Sequence, residues 1–278
     1  MSGAGGEGRK SGRAPGAASP VALHSPWRHA FFHRVFTRFA TKHLRAVRIA
    51  RWGLPAPLPG VPLVVFANHP SWWDGVAFTL LSTRLFPDRT MYVPMEAAAL
   101  ARYGFMRRLG VFGIETGSPR GAAAFLAVVR EVLASPDRML WINAPGRFCD
   151  ARKRPVPVVP GLTHLPELAP EAQFLPLALE YPFWNERAPE MLAGFGPPVS
   201  AATLLAMPRE ARAAHFAAAL EASMDRLAGD ALSRDPSRFE TLLRGREGMG
   251  GIWQGWRHLG AALRGRRFDP RHDPGAGA

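Results

Sequence analysis

A chain of 278 residues, 47% hydrophobic and 21% charged, holds enough apolar material for one large α/β domain and reads as folded over most of its length. Its single cysteine, Cys149, excludes an internal disulfide and a cysteine zinc site, and it fits a reducing compartment. The net charge of +13, carried almost wholly by arginine, favours polyanionic surfaces: phosphate head groups, acidic carrier proteins or nucleic acid.

The chain opens on Gly, Ala, Ser and Arg without an apolar core, which predicts a disordered tail over residues 1–24 rather than a signal peptide. Residues 25–47 follow as an amphipathic helix, with Ser25 as its cap and Pro26 in its first turn. Trp27, Phe31, Phe32, Val35, Phe36 and Phe39 form its apolar stripe, and Arg34, Arg38, Lys42 and Arg45 recur on a neighbouring face. Such a helix fits a membrane surface, and it fits equally a helix packed on the domain with a solvated basic face. No run of about 20 apolar residues is long enough to span a bilayer, so any membrane association is expected to be peripheral.

An α/β domain is expected over residues 48–230. Val61 to Ala67 reads as a short buried strand, Gly75 to Leu85 as a helix, Thr90 to Val93 as a strand and Ala97 to Leu109 as a helix. Val111 to Ile114 is a further apolar run, and Ser118-Pro119 opens a helix whose inner face holds Phe125, Val129, Val132 and Leu133. Met139 to Ile142 and Phe174 to Leu179 are strands, and Arg209 to Leu227 is a helix. Strands alternating with helices predict a single domain with a mostly parallel sheet flanked by helices. Residues 231–278 read as a basic C-terminal segment, with Ile252, Trp256, Leu259 and Leu263 at helical spacing: a second candidate for surface binding, or a poorly ordered tail.

The chemistry concentrates in Asn68-His69-Pro70-Ser71-Trp72-Trp73-Asp74. A buried strand delivers a histidine at its end, where α/β sheets build their sites, and a carboxylate follows five positions later. A carboxylate holds an imidazole in one tautomer and stabilises its protonated form, so the pair can take a proton from a hydroxyl. The sequence has no Gly-x-Ser-x-Gly elbow to supply a serine nucleophile, which leaves the substrate's own hydroxyl as the group to be activated. Ser71 reads as the cap of the turn that follows, and Trp72 and Trp73 as packing residues. The other histidines lack the paired spacing of a zinc site.

Asn-His-x-Ser-x-x-Asp after a hydrophobic strand resembles motif I of the glycerolipid acyltransferases, the lysophosphatidic-acid acyltransferase superfamily. Gly110 to Glu115 followed by Arg120 resembles motif II, Trp141 to Phe148 stands where motif III belongs, and Phe174 to Leu179 resembles motif IV. Gly161 and His164 match a glycine and a histidine that often follow motif III, and the likeness spans about residues 60 to 200. It implies transfer of a fatty acyl group from an acyl-CoA or acyl-carrier-protein thioester to a lysophospholipid hydroxyl, 1-acylglycerol-3-phosphate being the standard acceptor. His69 would then be the general base and Asp74 its partner. The substrate-binding residues would be Arg120, Gly146, Arg147 and Ser71. The resemblance implies no cofactor beyond the acyl donor and no metal. Arg120, in the first turn of a capped helix, suits an anion on electrostatic grounds as well, and backbone N–H groups near Gly146 are candidate oxyanion donors.

The departure is in motif III, where Pro145 stands in place of the usual glutamate before Gly146, with no carboxylate until Asp150. That makes a non-phosphate acceptor plausible, such as a glycolipid, a carotenoid glycoside or a lyso-ornithine lipid. A non-catalytic lipid-binding relative is the competing class, and retention of both His69 and Asp74 argues against it. Scattered basic residues without a recognisable nucleic-acid-binding motif argue against a nucleic-acid partner. The expected setting is cytoplasmic, peripheral on the inner face of the cell membrane, with the membrane surface, the lipid acceptor and an acyl carrier protein as partners.

Overall fold

The computed structural model describes residues 18–246 and Arg264. Two short or amphipathic helices come first, α1 (Pro20–Leu23) and α2 (Pro26–His43), followed by strands β1 (Ala46–Ala50) and β2 (Leu63–Ala67). Then come α3 (Asp74–Leu85), β3 (Thr90–Glu96), α4 (Ala97–Arg102), β4 (Val111–Ile114), α5 (Pro119–Val132) and β5 (Arg138–Asn143). The second half holds α6 (Pro160–Thr163), α7 (Leu165–Leu168), β6 (Gln173–Glu180), β7 (Glu190–Phe195), β8 (Val199–Ser200), α8 (Ala201–Leu205), α9 (Arg209–Ser233) and β9 (Phe239–Arg244).

The strands form one nine-stranded sheet in the order β4-β3-β5-β2-β6-β7-β1-β9, with β8 paired to β6. Strand β2 lies at its centre, parallel to β5 on one side and to β6 on the other. The mixed character comes from β6 against β7, β6 against β8, and β1 against β9, which are antiparallel. Strand β2 is apolar at every position because both of its faces are covered. Val64 and Phe66 face a core shared with Phe125 and Val129 of α5 and Phe216 and Leu220 of α9. Leu63, Val65 and Ala67 face the opposite core, with Phe78 and Leu81 of α3, and Ala40 and Leu44 at the end of α2. The architecture is therefore an α/β domain, helices on both sides of a mostly parallel sheet, with α2 ahead of the first strand.

Several boundaries differ from the sequence reading. The helix expected over 25–47 stops at His43, because Ala46–Ala50 is strand β1, every residue of it buried between β7 and β9. Ser25 precedes α2 but makes no side-chain cap bond. Within the expected tail over 1–24, residues 20–23 form α1, capped by Ser19, whose side chain accepts from the Ala22 N–H, and Pro20 is buried. Residues 1–17 lie outside the described residues. The expected helix over Ala97 to Leu109 is α4 followed by a 3₁₀ turn at Gly104–Leu109, the break falling at Tyr103. The sheet also passes residue 230: β9 lies in the segment expected to be a basic tail and pairs with β1 at the sheet edge. The pattern of Ile252, Trp256, Leu259 and Leu263 lies outside the described residues.

Candidate functional site

Both neighbours of β2 run parallel to it, so the carboxyl ends of β2, β5 and β6 open on one edge of the sheet. Asn68, just past the end of β2, is buried. Its side-chain N–H donates to the Leu179 carbonyl at 2.9 Å and its Oδ1 accepts the Leu179 N–H at 2.8 Å. The amide thereby stands in for one more backbone rung between β2 and β6, and the main chain is free to turn away and present His69.

The turn is then built locally. Ser71 accepts the Trp73 N–H on its Oγ at 3.2 Å, and its carbonyl accepts the Asp74 N–H at 3.2 Å. Helix α3 starts at Asp74, so the carboxylate occupies a helix N-terminus, where unpaired N–H groups favour negative charge. Its side chain is 1% exposed. Three donors converge on it. His69 Nδ1 lies 2.5 Å from Oδ2, the Ser71 N–H donates to Oδ2 at 3.3 Å, and the Tyr181 hydroxyl donates to Oδ1 at 2.8 Å. A carboxylate facing Nδ1 places the ring proton there and leaves Nε2 as the basic nitrogen. Tyr181 follows the end of β6. Burial first, then the charge of Asp74, pushes its phenol well above its ordinary range, which keeps the hydroxyl protonated and donating.

The loop after β5 closes over the same edge. The Ala144 N–H donates to the Ala67 carbonyl at 2.7 Å, and the Cys149 N–H to the His69 carbonyl at 2.8 Å, so the loop is tied to the His69 segment at both ends. Between these ties Gly146 adopts φ +66°, and a Cβ there would lie 2.5 Å from Val159 Cγ1. Both constraints call for glycine. Phe148 lays its ring against the imidazole, with centroids 4.3 Å apart, while remaining 62% exposed itself. The His69 side chain keeps 19% of its surface open to solvent. Beside it lies an open depression of about 270 Å³, lined by Pro70, Ser71, Glu180 and Tyr181 among others; the imidazole is not part of that lining.

The residues singled out from sequence are therefore distributed unevenly. His69, Asp74 and Ser71 meet. Gly146 and Arg147 sit on the loop that covers them, both exposed. The Gly146 N–H is already spent on the Asn143 carbonyl at 3.0 Å, so it is not a free oxyanion donor. The N–H groups of Arg147 and Phe148 have no partner among the described residues and are the ones open to that role. Arg120 is exposed in the first turn of α5, where the Ser118 hydroxyl accepts the Gly121 N–H at 2.9 Å. It follows β4, three strand spacings from β2, or about 14 Å. Among the described residues no hydrogen bond or ion pair joins it to His69 or Asp74. Pro145, which stands where the resemblance to the acyltransferases expects a glutamate, is buried.

Sequence reasoning missed Tyr181 and Glu180. Both stand at the carboxyl end of a buried strand, the position that had already singled out His69, and that rule applied to β6 would have found them. Among the described residues no group of three His, Cys, Asp or Glu side chains is placed to hold a metal, and no helix is long and apolar enough to cross a membrane. No protein-family model matches the chain, and no curated protein matches it.

Proposed function

We propose that this protein transfers a fatty acyl group from an acyl-CoA or acyl-carrier-protein thioester to a hydroxyl of a lysolipid at a membrane surface. The observation that carries the reading is the His69–Asp74 pair at the end of the central strand, its imidazole still reachable from solvent. Nε2 of His69 takes the proton of the acceptor hydroxyl as the oxygen attacks the thioester carbonyl. The imidazolium that forms is stabilised by Asp74, which Tyr181 and Ser71 hold in place. The tetrahedral intermediate collapses by expelling the thiolate, which takes the proton from His69 and leaves as free thiol. N–H groups of Arg147 and Phe148 are the candidate donors to the oxyanion, and the Arg147 guanidinium is a candidate for phosphate oxygens of the thioester donor.

A lipid setting is supported by the outer face of α2. Trp27, Phe31 and Val35 recur every four residues and are exposed, at 67%, 52% and 39%. Arg28, Arg34, Arg38 and Lys42 are exposed on the same helix. Exposed aromatics among basic side chains suit the boundary of an anionic bilayer. Helix α2 also touches the site segment: Phe39 stacks on Trp73 at 5.1 Å and meets Trp72 at 6.2 Å, with Trp72 62% exposed. Docking by α2 would therefore bring the His69 segment to the lipid, and we place the protein peripherally on the cytoplasmic face of the membrane.

The test is wild-type protein with labelled acyl-CoA, then labelled acyl carrier protein, against lysophosphatidate, lysophosphatidylcholine and a monoacyl glycoside. The proposal expects label in an extracted diacyl product that requires acceptor. Free fatty acid as the sole product with every acceptor would make the protein a thioester hydrolase instead.

A further inference from the structure

Glu180 ends β6, one residue before the tyrosine that holds Asp74, and it lines the depression beside the dyad. It also lines a smaller hollow of about 40 Å³, which shares Ala151 with the depression. Its side chain makes no hydrogen bond or ion pair among the described residues, and burial pushes its carboxyl up; Arg152, which lines the same small hollow, is paired with Asp150 instead. The charged and phenolic groups around it are already engaged, and the Ser71 hydroxyl, which accepts one bond, keeps its own O–H. Asp150, on the rim, is gripped by Arg152, whose Nε and Nη2 reach its two oxygens at 2.9 and 2.8 Å. The Tyr181 hydroxyl donates to Asp74. Ser71 accepts the Trp73 N–H. The remaining wall includes Pro70 and Pro182, neither of which has an N–H to offer.

A half-buried carboxylate without a donor is an acceptor in search of one. Water satisfies it while the depression is open; a bound molecule must bring its own N–H or O–H groups. A phosphate in the same space would meet the like charge of Glu180, and the cation beside it, Arg152, is already paired with Asp150.

We infer that this depression is the head-group subsite of the acceptor, and that it takes a non-anionic head group rich in hydrogen-bond donors, with Glu180 setting that preference over a phosphate. This rests on the acyl-transfer reading for its purpose, though not for its binding chemistry. Sugar hydroxyls and ammonium groups share the required donors. Pro145, where the resemblance expects a glutamate, is consistent with an acceptor held elsewhere, and Glu180 supplies a carboxylate from the end of β6, on the other side of β2.

The experiment is calorimetric titration of the full chain with hexyl glucoside, hexylammonium and hexyl phosphate, each below its micelle-forming concentration. Wild type is compared with Glu180→Gln and Glu180→Lys, and thermal melts establish that the variants fold. Wild type should bind glucoside or ammonium at least tenfold more tightly than phosphate, and which of the two is favoured identifies the source of the donors. Glu180→Gln should weaken that ligand at least tenfold, and Glu180→Lys should reverse the order in favour of phosphate. Tighter phosphate binding by wild type, or an order unchanged in both variants, overturns the inference. Acceptor-dependent acyl transfer is measured in parallel. Glu180-dependent binding without any transfer would sink the proposed activity and leave the subsite standing; transfer with a binding order indifferent to Glu180 would do the reverse.

Discussion

Asp74→Asn is the substitution that probes the chemistry most finely, because it preserves shape and removes one property. The carboxylate is acceptor-only and receives His69, Ser71 and Tyr181 on its two oxygens. An amide offers one acceptor and one donor end. If the amide nitrogen faces His69, Nδ1 must accept, the ring proton moves to Nε2 and no base remains. If the amide oxygen faces His69, the tautomer survives but the imidazolium loses its counter-charge. Two unit charges about 4 Å apart at an effective dielectric constant near 20 attract by about 4 kcal/mol. At about 1.4 kcal/mol per decade, that is a rate loss of about a thousandfold. Serine-triad enzymes lose about ten-thousandfold on the equivalent change, through the wrong tautomer. The assay is acceptor-dependent thiol release from acyl-CoA, with circular dichroism to show that the variant folds. A folded Asp74→Asn protein within tenfold of wild type would refute the reasoning, since neither orientation of the amide permits it.

Asn68→Ala removes both bonds to Leu179 and strands a buried backbone N–H and a carbonyl. Denaturant unfolding should register a loss of about 2–4 kcal/mol, and a loss under about 0.5 kcal/mol would mean that the amide does not extend the sheet. Trp27→Ala combined with Phe31→Ala deletes two exposed anchors of about 1.5 kcal/mol or more each. Partitioning onto vesicles rich in anionic phospholipid should fall about a hundredfold, and unchanged partitioning would remove α2 from the docking surface. His24, His29 and His33 cluster where α1 meets α2; burial is the main cause holding each below its ordinary value, with mutual repulsion adding at His29 and the Arg34 charge at His33. The unfolded chain therefore binds protons first on acidification. The stability these residues contribute is complete above their ordinary value near 6.5 and is lost as pH falls toward the lower folded values. Unfolding midpoints should drop between pH 7.5 and 5.5, less steeply in His29→Gln, and a flat profile would contradict the assignment.

Strand β2 was legible because it is buried on both faces and reads as an unbroken apolar run, bounded by Pro62 and Asn68. Helix α5 was legible because Ser118 and Pro119 announce its start locally. Strand β1 was not, and Arg48 shows why. An arginine in the middle of Ala-Val-Arg-Ile-Ala prolongs the basic spacing of the helix before it. It is buried only because Glu190 of β7 meets it at 2.9 Å and Thr241 of β9 at 2.7 Å. Those partners lie 142 and 193 residues away, beyond any local pattern. The site divides in the same way. His69 and Asp74 sit five residues apart on one turn, and their spacing suggested their pairing. Tyr181 reaches Asp74 from 107 residues downstream and Phe148 reaches His69 from another strand end. Only the parallel order of β5, β2 and β6 brings them together. Arg120 shows the converse: its place in a family-like motif says nothing of the two strands that stand between β4 and β2.

The central claim is that His69 is the base that activates the acceptor. The direct measurement is single-turnover acyl transfer by wild type and by folded His69→Ala, with the acceptor that wild type uses best. A loss of a thousandfold or more is expected in the variant at neutral pH. Transfer by His69→Ala within tenfold of wild type would contradict it.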